Sequence, residues 1–158
     1  MRIGIPAETE PGETRVAATP ETVKKLIAGG RHSVIVQNGA GTGASITDEA
    51  FTAAGATLGC AADVYKADIV FKVQRPQASE LALLRRGGIL VGLLSPHQDI
   101  TPLAATGVTA FAMELLPRIT RAQNMDVLSS QANIAGYKAV LIAAYEYGRF
   151  MPMLMTAA

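Results

Sequence analysis

Cysteine is almost missing from this chain. Cys60 stands alone in 158 residues, so no internal disulfide can form, and a reducing cytoplasm suits it. An excess of either charge is missing too: 14 Lys and Arg face 13 Asp and Glu, for a net charge of +1, and no basic cluster exceeds Arg85-Arg86. That balance argues against nucleic acid or a membrane surface as the main partner. No apolar run approaches the roughly 18 residues of a membrane-spanning helix. The first residues read as a strand with no signal-peptide pattern. His, Cys, Asp and Glu nowhere fall at metal-ligand spacing, so no metal is expected. What remains, 49% hydrophobic and 17% charged, is a well-buried globular chain of one domain, or one domain with an appended element.

One segment breaks this apolar character. Pro117 to Lys138 holds two Arg, two Gln, an Asp, two Asn, two Ser and a Thr within 22 residues. Such a block is costly to bury unless its groups find partners, so it either lines a site or forms a solvated loop leading into a helix. The residue types favour a site. Gln123 offers a donor and an acceptor together, which suits a carboxamide or a ribose hydroxyl pair. Arg118 and Arg121 supply guanidinium forks for anionic oxygens or for Asp126. Ser129, three residues beyond Asp126, shares its face if a helix starts there.

Short aliphatic runs and helical stretches alternate through the rest of the chain. Residues 3–5, 33–36, 69–73, 88–94 and 108–113 read as buried strands bounded by Gly, Pro or polar residues. Residues 21–28 have Pro20 at the first turn and Gly29-Gly30 past the end, and Thr47 before Asp48-Glu49 is an N-cap opening a helix over 48–54. Weaker helices are expected over 61–66, 78–84 and 100–105. The alternation predicts an α/β fold, a mostly parallel sheet with helices on both faces. It ends in one long helix with an apolar stripe, from about Asp126 to residue 150. A helix near 35 Å, at about 1.5 Å per residue, is long for a compact domain and suits a link to a second one.

Gly39-Ala-Gly41-Thr-Gly43 imitates a phosphate-binding loop, but a dinucleotide fingerprint must open a helix directly and needs a later glycine. Here Ser45-Ile46-Thr47 intervenes, so the segment reads as a connecting loop. Cys60, among small residues, reads as a buried thiol; His32 reads as a surface turn residue and His97 as a helix-start or turn residue. The tail from 151 to 158 is apolar, Met-rich and uncharged, as in a chain cut inside a larger protein.

The block from Pro117 to Tyr137 resembles the nicotinamide-contacting loop of proton-translocating NAD(P) transhydrogenases, alpha subunit. The opening Met-Arg-Ile-Gly-Ile-Pro and the later Glu13-Thr-Arg-Val-Ala-Ala-Thr-Pro20 are similar to the start of that family and of its relative, alanine dehydrogenase. The resemblance covers the whole chain and implies an N-terminal domain over 1–125, a long helix over 126–150 linking to a missing NAD-binding Rossmann domain, and a truncated tail over 151–158. It implies hydride transfer between NAD(H), held mainly by the missing domain, and NADP(H) on a partner subunit. Arg118, Gln123, Asp126 and Ser129 are then the cofactor-binding residues, with Gln123 and Asp126 the catalytic pair. Partners would include other transhydrogenase subunits, membrane-spanning ones among them, and the full enzyme would be a homodimer. The chain itself would be soluble, inactive alone, and placed at the cytoplasmic face of a membrane complex.

Three positions separate the relatives. In alanine dehydrogenases the residues matching Arg15 and Lys72 hold the keto acid, and the catalytic His matches position 95. Here both cations can instead pair with acids such as Glu8 or Glu13, and position 95 is Ser. Oxidising an amino acid needs a proton acceptor, whereas hydride passing between two nicotinamides needs none, so Ser95 favours the transhydrogenase. The alternatives are an alanine dehydrogenase fragment and a free-standing, non-enzymatic binding module.

Overall fold

A computed structural model describes residues 1–149. They fall into two compact units, Met1–Leu116 and the part that begins at Pro117. The expected apolar tail over 151–158 lies outside the described residues.

The first unit is built on six short strands: β1 (Arg2–Ile5), β2 (Ser33–Gln37), β3 (Thr57–Gly59), β4 (Ile69–Phe71), β5 (Ile89–Gly92) and β6 (Thr109–Ala112). Every pairing is parallel, in the order β3-β2-β1-β4-β5-β6. Between them run α1 (Pro20–Ile27), α2 (Asp48–Ala53), α3 (Ala61–Tyr65), α4 (Ala78–Leu81) and α5 (Thr101–Ala105). The chain steps one way from β1 to β3, then crosses back and steps the other way. Right-handed crossovers therefore put α1 and α2 on one face and α3, α4 and α5 on the other. The α/β fold read from the alternation is the fold observed, and its sheet is wholly parallel.

The two cores follow from strand alternation. Ile3, Ile5, Val34 and Val36 cluster with Val23 of α1 and Phe51 of α2. Val70 and Leu90 cluster with Tyr65, Leu94 and Leu103, and with Leu81 of α4. Gly4 lies between the two clustered residues of β1, and a Cβ there would stand 2.2 Å from the Val64 carbonyl oxygen. No side chain fits between β1 and α3, so glycine sets how closely that helix seats.

Helix boundaries obey local chemistry. Pro20 opens α1, and the Thr19 hydroxyl accepts the Thr22 N–H at 3.2 Å. Thr47 caps α2 as expected, accepting from Ala50 N–H at 3.3 Å. The strand expected over 69–73 is assigned only to Phe71, yet the Lys72 N–H still bonds the Val91 carbonyl at 2.9 Å and the Leu93 N–H bonds the Val73 carbonyl at 3.1 Å. Pairing therefore carries Lys72 rigidly to the sheet's C-terminal edge. The helix expected over 78–84 is shorter, its last turn continuing as i→i+3 bonds from Leu83 to Glu80 and Leu84 to Leu81. Cys60 is exposed, not buried: it occupies the N-cap position of α3, and its thiol donates to Asp63 Oδ2 at 3.0 Å.

The second unit opens with a 3₁₀ segment, Thr120–Met125, and continues as α6 (Val127–Glu146). The expected long helix is present, 20 residues of it. The expected apolar stripe is not: apolar side chains lie around the whole circumference, with no preferred face, and no described residue of α6 is buried. Alanines fill the turns between Leu128, Ile134, Val140 and Ile142, which erases the polar face an amphipathic helix needs. No described helix is long and apolar enough to cross a membrane.

Candidate functional site

In a doubly wound sheet, ligands sit beyond the C-terminal strand ends where strand order reverses. Here that crevice lies between β1 and β4. The loop after β1 brings Glu8, Glu13 and Arg15 to it; the end of β4 brings Lys72 and Gln74. The Lys72 side chain is 1% exposed, with its ammonium 2.9 Å from Glu80 Oε1 and 3.3 Å from Glu8 Oε2. Glu8 also accepts the Val73 N–H at 2.6 Å and the Gln74 N–H at 3.2 Å. Glu80 accepts the Tyr65 hydroxyl at 2.6 Å and the Gln77 N–H at 2.6 Å. Burial pushes Glu80 up, but the Tyr65 hydroxyl, Lys72 and the Gln77 amide outweigh it and leave its pKa below the ordinary value. Burial, together with the bond to Glu80, pushes the Tyr65 phenol far up, so it remains a neutral donor.

Arg15 is held differently. Its guanidinium grips Glu13 through two bonds, Nε to Oε1 at 2.8 Å and Nη2 to Oε2 at 2.6 Å. Gln74 Nε2 donates to the same Glu13 carboxylate at 2.8 Å. The Arg15 side-chain bond, aided by Gln74, drags Glu13 from 4.5 to about 2 against the cost of burial. Both cations of the crevice thus face carboxylates of the chain itself. Beside them, a cleft of about 560 Å³ is lined by Gln74, Arg75, Gln77, Ser95 and Gln98, among others.

Ser95 adopts a left-handed backbone, φ 50°, and its N–H donates to Glu114 Oε1 at 2.6 Å. The other Glu114 oxygen is buried without a partner among the described residues. His97 is an exposed turn residue, as expected. His32 is less superficial than expected: it precedes β2 partly buried, and its Nδ1 is shielded from water and unpaired. Sequence reasoning missed Glu80, Tyr65 and Glu114. Only Glu80 carried a signal, as the N3 acid of a Gln77-x-x-Glu80 capping box.

The polar block sits in the second unit. Asp126 is the N-cap of α6, and both of its oxygens engage Ser129: Oδ1 accepts the backbone N–H at 3.0 Å and Oδ2 the hydroxyl at 2.6 Å. These bonds, the hydroxyl first, hold the Asp126 carboxyl below its usual range, and the positive charge of Arg118 adds to the effect. The Ser129 proton is committed to Asp126, so its oxygen has only acceptor capacity left to offer. Gln123 is exposed on the 3₁₀ segment, tied by its carbonyl to the Asp126 N–H at 3.3 Å. Its side-chain amide makes no hydrogen bond among the described residues. Arg118 is likewise exposed. The structure therefore joins Asp126, Ser129 and Arg118 electrostatically and leaves the Gln123 amide available.

The glycine loop after β2 serves packing. The Gly39 N–H donates to both Asp48 oxygens, at 2.9 and 3.1 Å, and the N–H groups of Thr42, Ala44 and Ser45 bond carbonyls within the loop. A Cβ at Gly41 would lie 2.6 Å from the Ile46 carbonyl oxygen, and one at Gly43 would lie 2.9 Å from that of Thr14. Its amides are spent internally and are not turned outward toward phosphate. Among the described residues no acidic, His or Cys group is arranged to hold a metal.

Residues 4–135 match the family model described as "Alanine dehydrogenase/PNT, N-terminal domain". The chain belongs to this family. It is 52% identical across its whole length to the first of the separate polypeptides that make up NAD(P) transhydrogenase subunit alpha in Rhodospirillum rubrum, covering 44% of that protein. Alanine dehydrogenase of Mycobacterium tuberculosis is 40% identical over 94% of the chain, which covers 41% of it. The crystal structure of the Sinorhizobium meliloti transhydrogenase superposes with a TM-score of 0.92, at 49% identity, over 99% of this chain and 48% of that one. The chain thus spans less than half the length of these relatives. The family resemblance carried by the opening residues and by the polar block is borne out. The fold of this family member is the one expected, down to the long helix at its end.

Proposed function

We propose that this chain is the N-terminal part of an NAD(P) transhydrogenase alpha subunit, and that its polar loop orients the nicotinamide during hydride transfer between NAD(H) and NADP(H). The observation that carries the reading is the 52% identity to a transhydrogenase alpha subunit along the whole chain, against 40% to an alanine dehydrogenase. Ser95 supports it, because it supplies no imidazole where oxidation of an amino acid needs a proton acceptor.

The loop's residues fit a nicotinamide. Gln123 has an unpaired side-chain amide, able to give and take a hydrogen bond with a carboxamide or a ribose hydroxyl. Ser129 and Asp126 form an acceptor-rich pair that suits the N–H of a carboxamide. Arg118 keeps Asp126 ionised and organises the loop around it. The bound nicotinamide supplies the hydride chemistry; the chain's part is to hold the ring in orientation, and no proton needs to move on these residues. Positioning is then the catalytic contribution, and Gln123 and Asp126 its main agents.

NAD(H) would be held mainly by a nucleotide-binding domain beyond α6, because the glycine loop here spends its amides on itself. In this reading α6 links the two domains, NADP(H) sits on a partner subunit, membrane-spanning partners complete a homodimeric enzyme, and the chain alone is inactive. The test is Gln123→Ala in the full-length protein, reading hydride transfer between nucleotides and thermal stability side by side. Transfer should fall steeply while stability holds; parallel losses would reject the positioning role.

An alanine dehydrogenase is the second reading, favoured by Arg15 and Lys72 at the crevice. Alanine-dependent reduction of NAD by the full-length protein would establish it in place of the first.

A further inference from the structure

We draw no further inference here: the strongest candidate, the cleft of about 560 Å³ lined by Gln74, Arg75, Gln77, Ser95 and Gln98 beside the β1–β4 crevice, belongs to the site already described and holds no polar group whose partner the structure leaves to a new ligand.

Discussion

Replacing Lys72 by Met tests whether the crevice is held together by charge. Met keeps the unbranched stem and removes only the ammonium. Glu8 and Glu80, whose side chains are 2% and 7% exposed, then lose the cation between them. Removing one partner of a buried pair costs about 3–5 kcal/mol, because the remaining charge stays desolvated. Here two carboxylates are left, although Glu8 keeps two backbone N–H donors and Glu80 keeps the Tyr65 hydroxyl and the Gln77 N–H. Those four donors place the expectation at the lower end, about 3 kcal/mol at pH 7. With a urea slope of about 2 kcal/mol per molar, the unfolding midpoint should drop by roughly 1.5 M, read by circular dichroism.

The pH dependence gives a second, independent check. In the native chain Glu80 has a lowered pKa, so its contribution is present above the ordinary carboxylate value and is lost on acidification. In K72M the stranded carboxylates favour protonation instead. The deficit should be largest at neutral pH and narrow as the pH falls through the ordinary carboxylate range near 4.5. A midpoint within about 0.5 M of wild type at pH 7, by the same slope, would refute the reasoning. So would a deficit unchanged between about pH 7 and pH 4.

Glu13→Gln should remove part of the acid sensitivity of folding: the Glu13 pKa is depressed to about 2, so its stabilisation is full above pH 4.5 and disappears as pH falls toward 2. An acid limb of the stability curve identical in mutant and wild type would contradict this. Gln123→Ala in the full-length protein should slow hydride transfer by roughly 10- to 100-fold, the scale of a misplaced reactant, while stability shifts by no more than about 0.5 kcal/mol at this exposed position. Asp126→Ala should cost about 1 kcal/mol as a lost N-cap, whereas Asp126→Asn should recover most of that in thermal unfolding, since Asn caps as well as Asp. The 158-residue chain alone should bind NADH weakly or not at all; a micromolar dissociation constant from NADH fluorescence would refute the assignment of nucleotide binding to a further domain.

Much of the fold was legible because a parallel sheet buries both faces of its strands. Runs such as Val34-Ile35-Val36 and Ile89-Leu90-Val91 are then apolar throughout and announce themselves. β3 was illegible for the opposite reason. Thr57-Leu58-Gly59 is three residues at a sheet edge, with Leu58 exposed, so neither length nor apolar content marks it. Its pairing with Ile35, Val36 and Gln37 makes it a strand, and that is a long-range fact. The right length but wrong face of α6 has a similar source. Periodicity shows where apolar residues can align, and Ala-rich turns align in more than one way.

The candidate site divides along the same line. The polar loop was visible because its hydrogen-bonding groups are close in sequence: Asp126 and Ser129 are three apart, and a helix start is enough to join them. The crevice cluster was visible only in part. Lys72 at a strand end and the acids at 8 and 13 could be suspected of pairing, and the structure does pair Lys72 with Glu8 and Arg15 with Glu13. Nothing local says that Glu80 points inward, because a Glu in the first turn of a short helix is ordinarily a solvated cap. What turns it is the Tyr65 hydroxyl arriving from α3, fifteen residues away in sequence and on the same face of the sheet. A buried carboxylate of this kind is legible only after the topology is known, for its donors come from elements that the fold, and not the sequence order, brings together.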